Sequence, residues 1–156
     1  MKKTITTLGL ALSLIALSGA ACAQMKPEDA ITFRQSGYKF MAWNMGNIKR
    51  NLEGEFSKDQ VVAAANVIAA IANSGMGRLY LPGTDQGKGW HDTKVKPELF
   101  TDKEGVGTVA KAFNEAANEM AKVAASGDQA AIKAQFGKLG ESCKGCHDKF
   151  RVDDKK

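Results

Sequence analysis

Near the C-terminal end of this chain run Cys143-Lys144-Gly145-Cys146-His147, and no other feature narrows the possible folds as much. At C-x-x-C-H spacing the two sulfurs form thioethers with the vinyl groups of a haem, and the adjoining histidine is then held beneath the porphyrin as an iron ligand. Any fold for this chain must therefore leave room for a large flat group beside its last segment. A structural zinc site needs four protein ligands. Beyond the leader described below only Cys143, Cys146, His147 and His91 are candidates, so His91 would have to arrive from a distant loop. A thioredoxin-like redox pair belongs beside a βαβ pattern, which is absent, and a plain disulfide would leave His147 without a role.

The chain begins Met1-Lys2-Lys3, continues with an apolar run from Leu8 to Leu17, and then carries the small residues Ser18-Gly19-Ala20-Ala21-Cys22-Ala23. This is the plan of a secretory signal peptide, and Ala21-Cys22-Ala23 places cleavage before Gln24. Residues 1–23 thus read as a removed leader and residues 24–156 as one domain. Cys22 as a lipid-carrying cysteine is the competing reading. Gly19, three positions before it, stands where a lipoprotein signal carries a larger apolar residue. The apolar run is too short to span a bilayer and no other segment approaches one, so a soluble, exported, periplasmic protein without a membrane partner is expected. Cleavage removes Lys2 and Lys3 and no acid, which leaves 20 bases against 17 acids and lowers the net charge from +5 to +3. No basic cluster points to nucleic acid.

Strand-like alternation is weak, whereas helical periodicity recurs four times. Pro27 suits a first helical turn with Glu28 and Asp29 at the positive end of the dipole. From there Ile31, Arg34, Tyr38, Met41, Met45, Ile48 and Leu52 alternate three and four apart. Ser57 with Gln60 reads as a capping box ahead of Val61, Ala64, Ala65, Ile68, Ile71 and Ala72. Gly75 and Gly77 are plausible stops, and the Gly- and Pro-rich stretch from Leu81 to Phe100 reads as a long crossing loop. Thr101 with Glu104 reads as a second capping box, before Val106, Val109, Ala110, Phe113, Ala117, Met120 and Val123 or Ala124, with Gly127 as the stop. Asp128 caps a last helix on which Ile132, Phe136, Leu139, Cys143, Cys146 and Phe150 share one stripe. The expected fold is all-α, an antiparallel up-down-up-down four-helix bundle with one covalently bound haem among alanine-rich faces.

What stands opposite His147 decides the chemistry. A strong second ligand gives a six-coordinate electron carrier, and a weak or apolar group leaves a vacant position for a gas. The candidate ligands are His91 and Met25, Met41, Met45, Met76 and Met120. The ordinary roles of these residues are solvent exposure for a loop histidine and core filling for helical methionines. Arg34 is a charge at a seam position. Either a haem propionate partners it there or its side chain snorkels to water. Tyr38 projects from the same face one turn on, from where it could cover the open side of the iron. Arg151, four after His147, either affects the imidazole or pairs with Asp148.

With these residues in place, the mature region resembles the cytochrome c′ family of class II c-type cytochromes. The resemblance rests on Cys143-Lys144-Gly145-Cys146-His147 with Phe150-Arg151, and on Lys26-Pro27-Glu28-Asp29 with Phe33-Arg34-Gln35-Ser36. It implies a periplasmic four-helix bundle, commonly a homodimer, with one haem c on Cys143 and Cys146 and a five-coordinate high-spin iron whose sole protein ligand is His147. It further implies nitric oxide binding, often carbon monoxide binding, and electron carriage with an unspecified redox partner. By position, Arg34 and Gln35 match propionate-side residues, Tyr38 the residue over the vacant iron face, Arg151 the basic residue beside the proximal histidine, and Lys96 a residue on the haem edge. Low-spin relatives carry methionine where Tyr38 stands, so a methionine-ligated, six-coordinate electron-transfer cytochrome is the alternative. The expected protein is a non-enzymatic haem protein. Weak peroxidase or nitric oxide reductase activity is the third reading, and no acid-base residue near Tyr38 assists it.

Overall fold

The computed structural model describes residues 25–153, so the leader read in residues 1–23 lies outside the described residues. Helix α1 spans Pro27–Glu53, with Pro27 in its first turn and Glu28 and Asp29 beside the dipole's positive end. Helix α2, Lys58–Ala72, is capped by Ser57, whose side chain accepts from the Gln60 N–H. After a 3₁₀ turn at Met76–Leu79 and the crossing loop come the one-turn helix α3, Glu98–Thr101, and helix α4, Lys103–Ser126. Gly127, at φ 77°, ends α4 in the left-handed region. Asp128 then caps α5, Gln129–Phe150, by accepting from the N–H groups of Ala130 and Ala131.

The capping box expected at Thr101 and Glu104 is displaced by one residue. Thr101 is consumed as the last residue of α3, and Asp102 caps α4 by accepting from Gly105 N–H at 2.8 Å. The same carboxylate reaches Lys149 Nζ near the end of α5 at 2.8 Å. Lys149's hydrogen bond, then that of Gly105, holds the Asp102 carboxyl below its ordinary value of 3.8. A depressed carboxyl contributes stability above that ordinary value and loses it as pH falls through the depressed one. Asp102→Asn keeps a capping side chain but no charge, so its stability is expected to fall less steeply than the native protein's below pH 3.8, read by urea unfolding across acid pH. Parallel pH profiles would contradict the assignment.

The long helices α1, α2, α4 and α5 form the expected antiparallel up-down-up-down bundle. Its core joins Met41 and Ile48 of α1, Val61, Ala64, Ala65 and Ile68 of α2, Ala117, Met120 and Ala124 of α4, and Ile132 and Leu139 of α5. Each fully buried Ile, Leu or Met contributes roughly 1.5–3 kcal/mol. The alanines of α2 and α4 let those helices approach closely. Neighbours pack in the order α1–α2–α4–α5, but α1 and α5 touch only sparsely. The bundle is thereby left with one open side.

The crossing loop straps that side. Its near half lies on α1, where Gly89 comes so close that a Cβ there would sit 2.7 Å from the Thr32 backbone nitrogen and 2.8 Å from Gln35 Oε1. Its far half pairs with the end of α5: Lys96 N–H donates to Phe150 O at 2.9 Å, and Val152 N–H to Lys94 O at 2.8 Å. Because the backbone of α1 cannot give way, Gly89→Ala is expected to cost about 1–3 kcal/mol of stability and to loosen the loop from α1, measured by denaturant unfolding. An unchanged midpoint would show that the loop is not held there.

Candidate functional site

The stripe expected on the last helix is present. Ile132, Leu139 and Phe150 are buried, while Cys143 and Cys146 are half-buried one turn apart on α5. Neither thiol is in a disulfide. Desolvation pushes both thiols above the ordinary cysteine range, which keeps them protonated and inert until they are consumed. His147 follows on the same helix. Its imidazole is held below the usual histidine range, first by desolvation and then by the positive charge of Arg151, against a smaller opposing effect of Asp148. That favours the neutral ring, the form whose nitrogen lone pair can bind a metal.

Across the open side stands Tyr38. On the seam of α1 its neighbours Arg34, Met41 and Ile48 are buried, but Tyr38 is 38 % exposed because it faces the cleft rather than the core. Tyr80, just after the 3₁₀ turn, donates its hydroxyl to the Tyr38 oxygen at 3.1 Å. Burial of the two hydroxyls pushes both phenols up. Cys146 acts electrostatically on both, and Cys143 on Tyr38, so the tyrosine pair and the C-x-x-C-H segment share one cleft. Tyr80 left no trace in the periodicity, since it lies in an irregular segment. The aromatic residue among glycines and prolines was the only signal.

Arg34 is 3 % exposed and does not snorkel to water. One terminal nitrogen donates to Leu79 O at 3.2 Å and Thr84 Oγ1 at 2.7 Å; the other donates to Thr93 Oγ1 at 2.8 Å and to Thr84 O. The guanidinium carbon also lies 4.9 Å from the Tyr80 ring centroid. Desolvation lowers the ionisation constant of Arg34, but an arginine so hydrogen-bonded stays charged. Four N–H groups are thus spent on the loop, leaving the Nε–H as the guanidinium's remaining donor.

Gln35 grips the same loop further out. Its amide nitrogen reaches His91 O at 2.9 Å and His91 Nδ1 at 3.0 Å, and its oxygen accepts from Trp90 N–H at 2.9 Å. Lys96 Nζ donates to Asp148 O at 3.0 Å, which fixes the loop beside the motif. Arg151 bridges to Val95, and its charge is felt by His147. The Asp148 carboxylate pairs with Lys144. Of the methionines that are candidate second ligands, Met41 and Met120 belong to the core, Met45 packs against it, and Met25 is exposed ahead of α1. Met76 lies on Gly37, where a Cβ would be 2.8 Å from its methyl carbon.

These donors fit a covalently attached haem. Two thiols free of any disulfide share one helical face, an imidazole with a depressed ionisation constant adjoins them, and the two helices lining the cleft are the neighbouring pair that packs least. Among the described residues no cluster of His, Cys, Asp or Glu offers a metal site of another kind, and no helix is long and apolar enough to cross a membrane.

Residues 29–151 match the family model described as Cytochrome C′. The chain is 59% identical over 130 residues to cytochrome c′ of Rhodocyclus tenuis, covering 83% of this chain and 98% of that one. It is 53% identical over 153 residues to cytochrome c′ of Allochromatium vinosum, covering 97% and 99%. Among solved structures, a cytochrome c′ described as having an unusual ligand-controlled dimer dissociation superposes with a TM-score of 0.81 at 57% identity, over 84% of this chain and all of that one. On these matches, with the four-helix bundle and the Cys143–His147 motif on its last helix, the chain belongs to the cytochrome c′ family, which implies a c-type haem protein with covalently bound haem c.

Proposed function

We propose that this protein is an exported, periplasmic haem protein, not an enzyme, that presents a five-coordinate iron to nitric oxide and carbon monoxide and also carries single electrons. The observation that carries this reading is Tyr38, which stands across the cleft from Cys143 and Cys146 with its oxygen engaged by Tyr80 and offers no strong iron ligand. Haem, when bound, would supply a redox-active iron able to take up a small ligand. Cys143 and Cys146 would hold the group to α5, and His147, whose depressed ionisation constant favours the neutral ring, would provide the protein's single ligand. On this reading the Arg34 Nε–H and Gln35 would serve the propionate side of the group, Lys96 and Arg151 its edge near the motif, and Tyr38 would screen the iron from water and larger molecules. Addition of nitric oxide to the reduced protein is expected to change the Soret spectrum at once. A spectrum that does not respond would overturn the gas-binding reading and leave electron transfer.

The same reading includes a homodimer. The outer face of α1 exposes Phe33, Phe40 and Trp43, each at least half exposed, and Phe40 stacks on Trp43 with centroids 5.6 Å apart. A contiguous aromatic stripe of this kind suits a second copy of the chain. Trp43→Glu is expected to shift the protein to monomer in sedimentation velocity, and a dimer that survives it would exclude this face.

A further inference from the structure

A tyrosine ring on a helix facing a cleft has little to hold it there, because open space gives it several rotamers. Tyr38 is held nonetheless, and the parts that hold it come from a segment outside the helices. Met76 seats its methyl on Gly37, the residue before Tyr38. Arg34, one turn earlier on α1, takes Leu79 O and lies against the ring of Tyr80. The 3₁₀ turn is thus clamped to α1 at two points within the helical turn that leads into Tyr38. The turn ends where Tyr80 N–H donates to Gly77 O at 3.2 Å, and the Tyr80 hydroxyl then meets Tyr38 at 3.1 Å.

We infer that Tyr80 is a positioning residue: its hydroxyl, carried on a turn clamped to α1 by Arg34 and Met76, holds Tyr38 across the cleft, so that a ligand gains entry only by parting the two phenols. The inference rests on the reading of Tyr38 as the cover of the iron face and deepens it. Tyr38 alone would set the size of the barrier. Tyr80 sets how often it opens, since the hydroxyl pair gives up one hydrogen bond on parting and regains it only when the ring returns.

The test uses the haem-loaded protein and Tyr80→Phe, which removes one oxygen and keeps the ring beneath Arg34. The rate of carbon monoxide association is expected to rise about fivefold, the Boltzmann weight of one neutral hydrogen bond. In a Tyr38→Phe background the same change is expected to do nothing, because the acceptor is already gone. Independently of ligand binding, the tyrosine doublet in the ultraviolet resonance Raman spectrum of the resting protein should report loss of a hydrogen bond on Tyr38. An unchanged association rate and doublet for Tyr80→Phe would overturn the inference, as would an equal gain in both backgrounds, which would mark Tyr80 as mere packing. If Tyr38→Ala speeds association while Tyr80→Phe does not, the positioning role alone falls. If Tyr38→Ala also leaves the rate unchanged, the reading of Tyr38 as a cover falls with it.

Discussion

Replacing Tyr38 by alanine is expected to speed carbon monoxide association at the reduced iron by about tenfold or more, the effect of removing ~1.4 kcal/mol from the barrier. The ring is 38 % exposed and faces the cleft, so its removal creates no large core cavity and should cost the fold little. Its hydroxyl is tied to Tyr80, and opening the cleft natively requires moving both the ring and that bond. Stopped-flow mixing with carbon monoxide measures the rate directly. An unchanged rate and affinity in the alanine variant would remove Tyr38 from the path of the ligand.

A second large effect is expected at Arg34. Arg34→Met keeps the length and apolar stem of the side chain but removes the charged donor from Leu79 O, from the carbonyl and hydroxyl of the fully buried Thr84, and from the Thr93 hydroxyl; the Thr84 hydroxyl keeps its bond to Leu81 O, and the Thr93 hydroxyl its contact with Thr84 O. Hydrogen bonds to a charged group contribute about 1.5–3 kcal/mol apiece, and the bonds that remain together with relaxation of the loop bring the expected total to about 3–5 kcal/mol. Urea unfolding reads the loss. Hydrogen exchange should then show faster exchange at Thr84 and Thr93, whose segment loses its anchor. Arg34→Lys is expected to recover only part of the stability, since one ammonium cannot satisfy acceptors placed for two nitrogens. If Arg34→Met altered haem properties and left stability intact, the arginine would serve a propionate alone.

Why Arg34 was visible in the sequence and its partners were not is a matter of distance along the chain. A charge at a seam position between Ile31 and Met41 announces burial, because the three-four spacing fixes which side of α1 it occupies. Its acceptors lie 45 to 59 residues away, and two of them are backbone carbonyls that leave no mark on side-chain patterns. Local signals fared better. Ser57, Gly127 and Asp128 end or start helices where the sequence places them, since capping depends on neighbours within a turn. Thr101 misled by one position because the one-turn helix α3 has no periodicity to announce it, and Asp102 took the cap.

The site divides along the same line. Cys143, Cys146 and His147 are legible because attachment chemistry demands a fixed spacing, and Tyr38 because it shares a helical face with Arg34. Tyr80 belongs to the Gly75–Tyr80 turn, whose approach to α1 depends on Met76 meeting Gly37 and on Arg34 reaching Leu79 O. The family resemblance puts Gln35 on the propionate side. Its grip on Trp90 and His91 comes from the same long-range seating of the loop, made possible at Gly89 by the absence of a side chain.

The coordination number of the iron, read from electron paramagnetic resonance of the oxidised protein and resonance Raman of the reduced protein, tests the central claim most directly. With His147 as the single protein ligand and Tyr38 opposite, a high-spin, five-coordinate iron is expected in both oxidation states. A low-spin, six-coordinate iron with a methionine-sulfur charge-transfer band would contradict it, and would mean that a methionine leaves its packed position to take the place Tyr38 now covers.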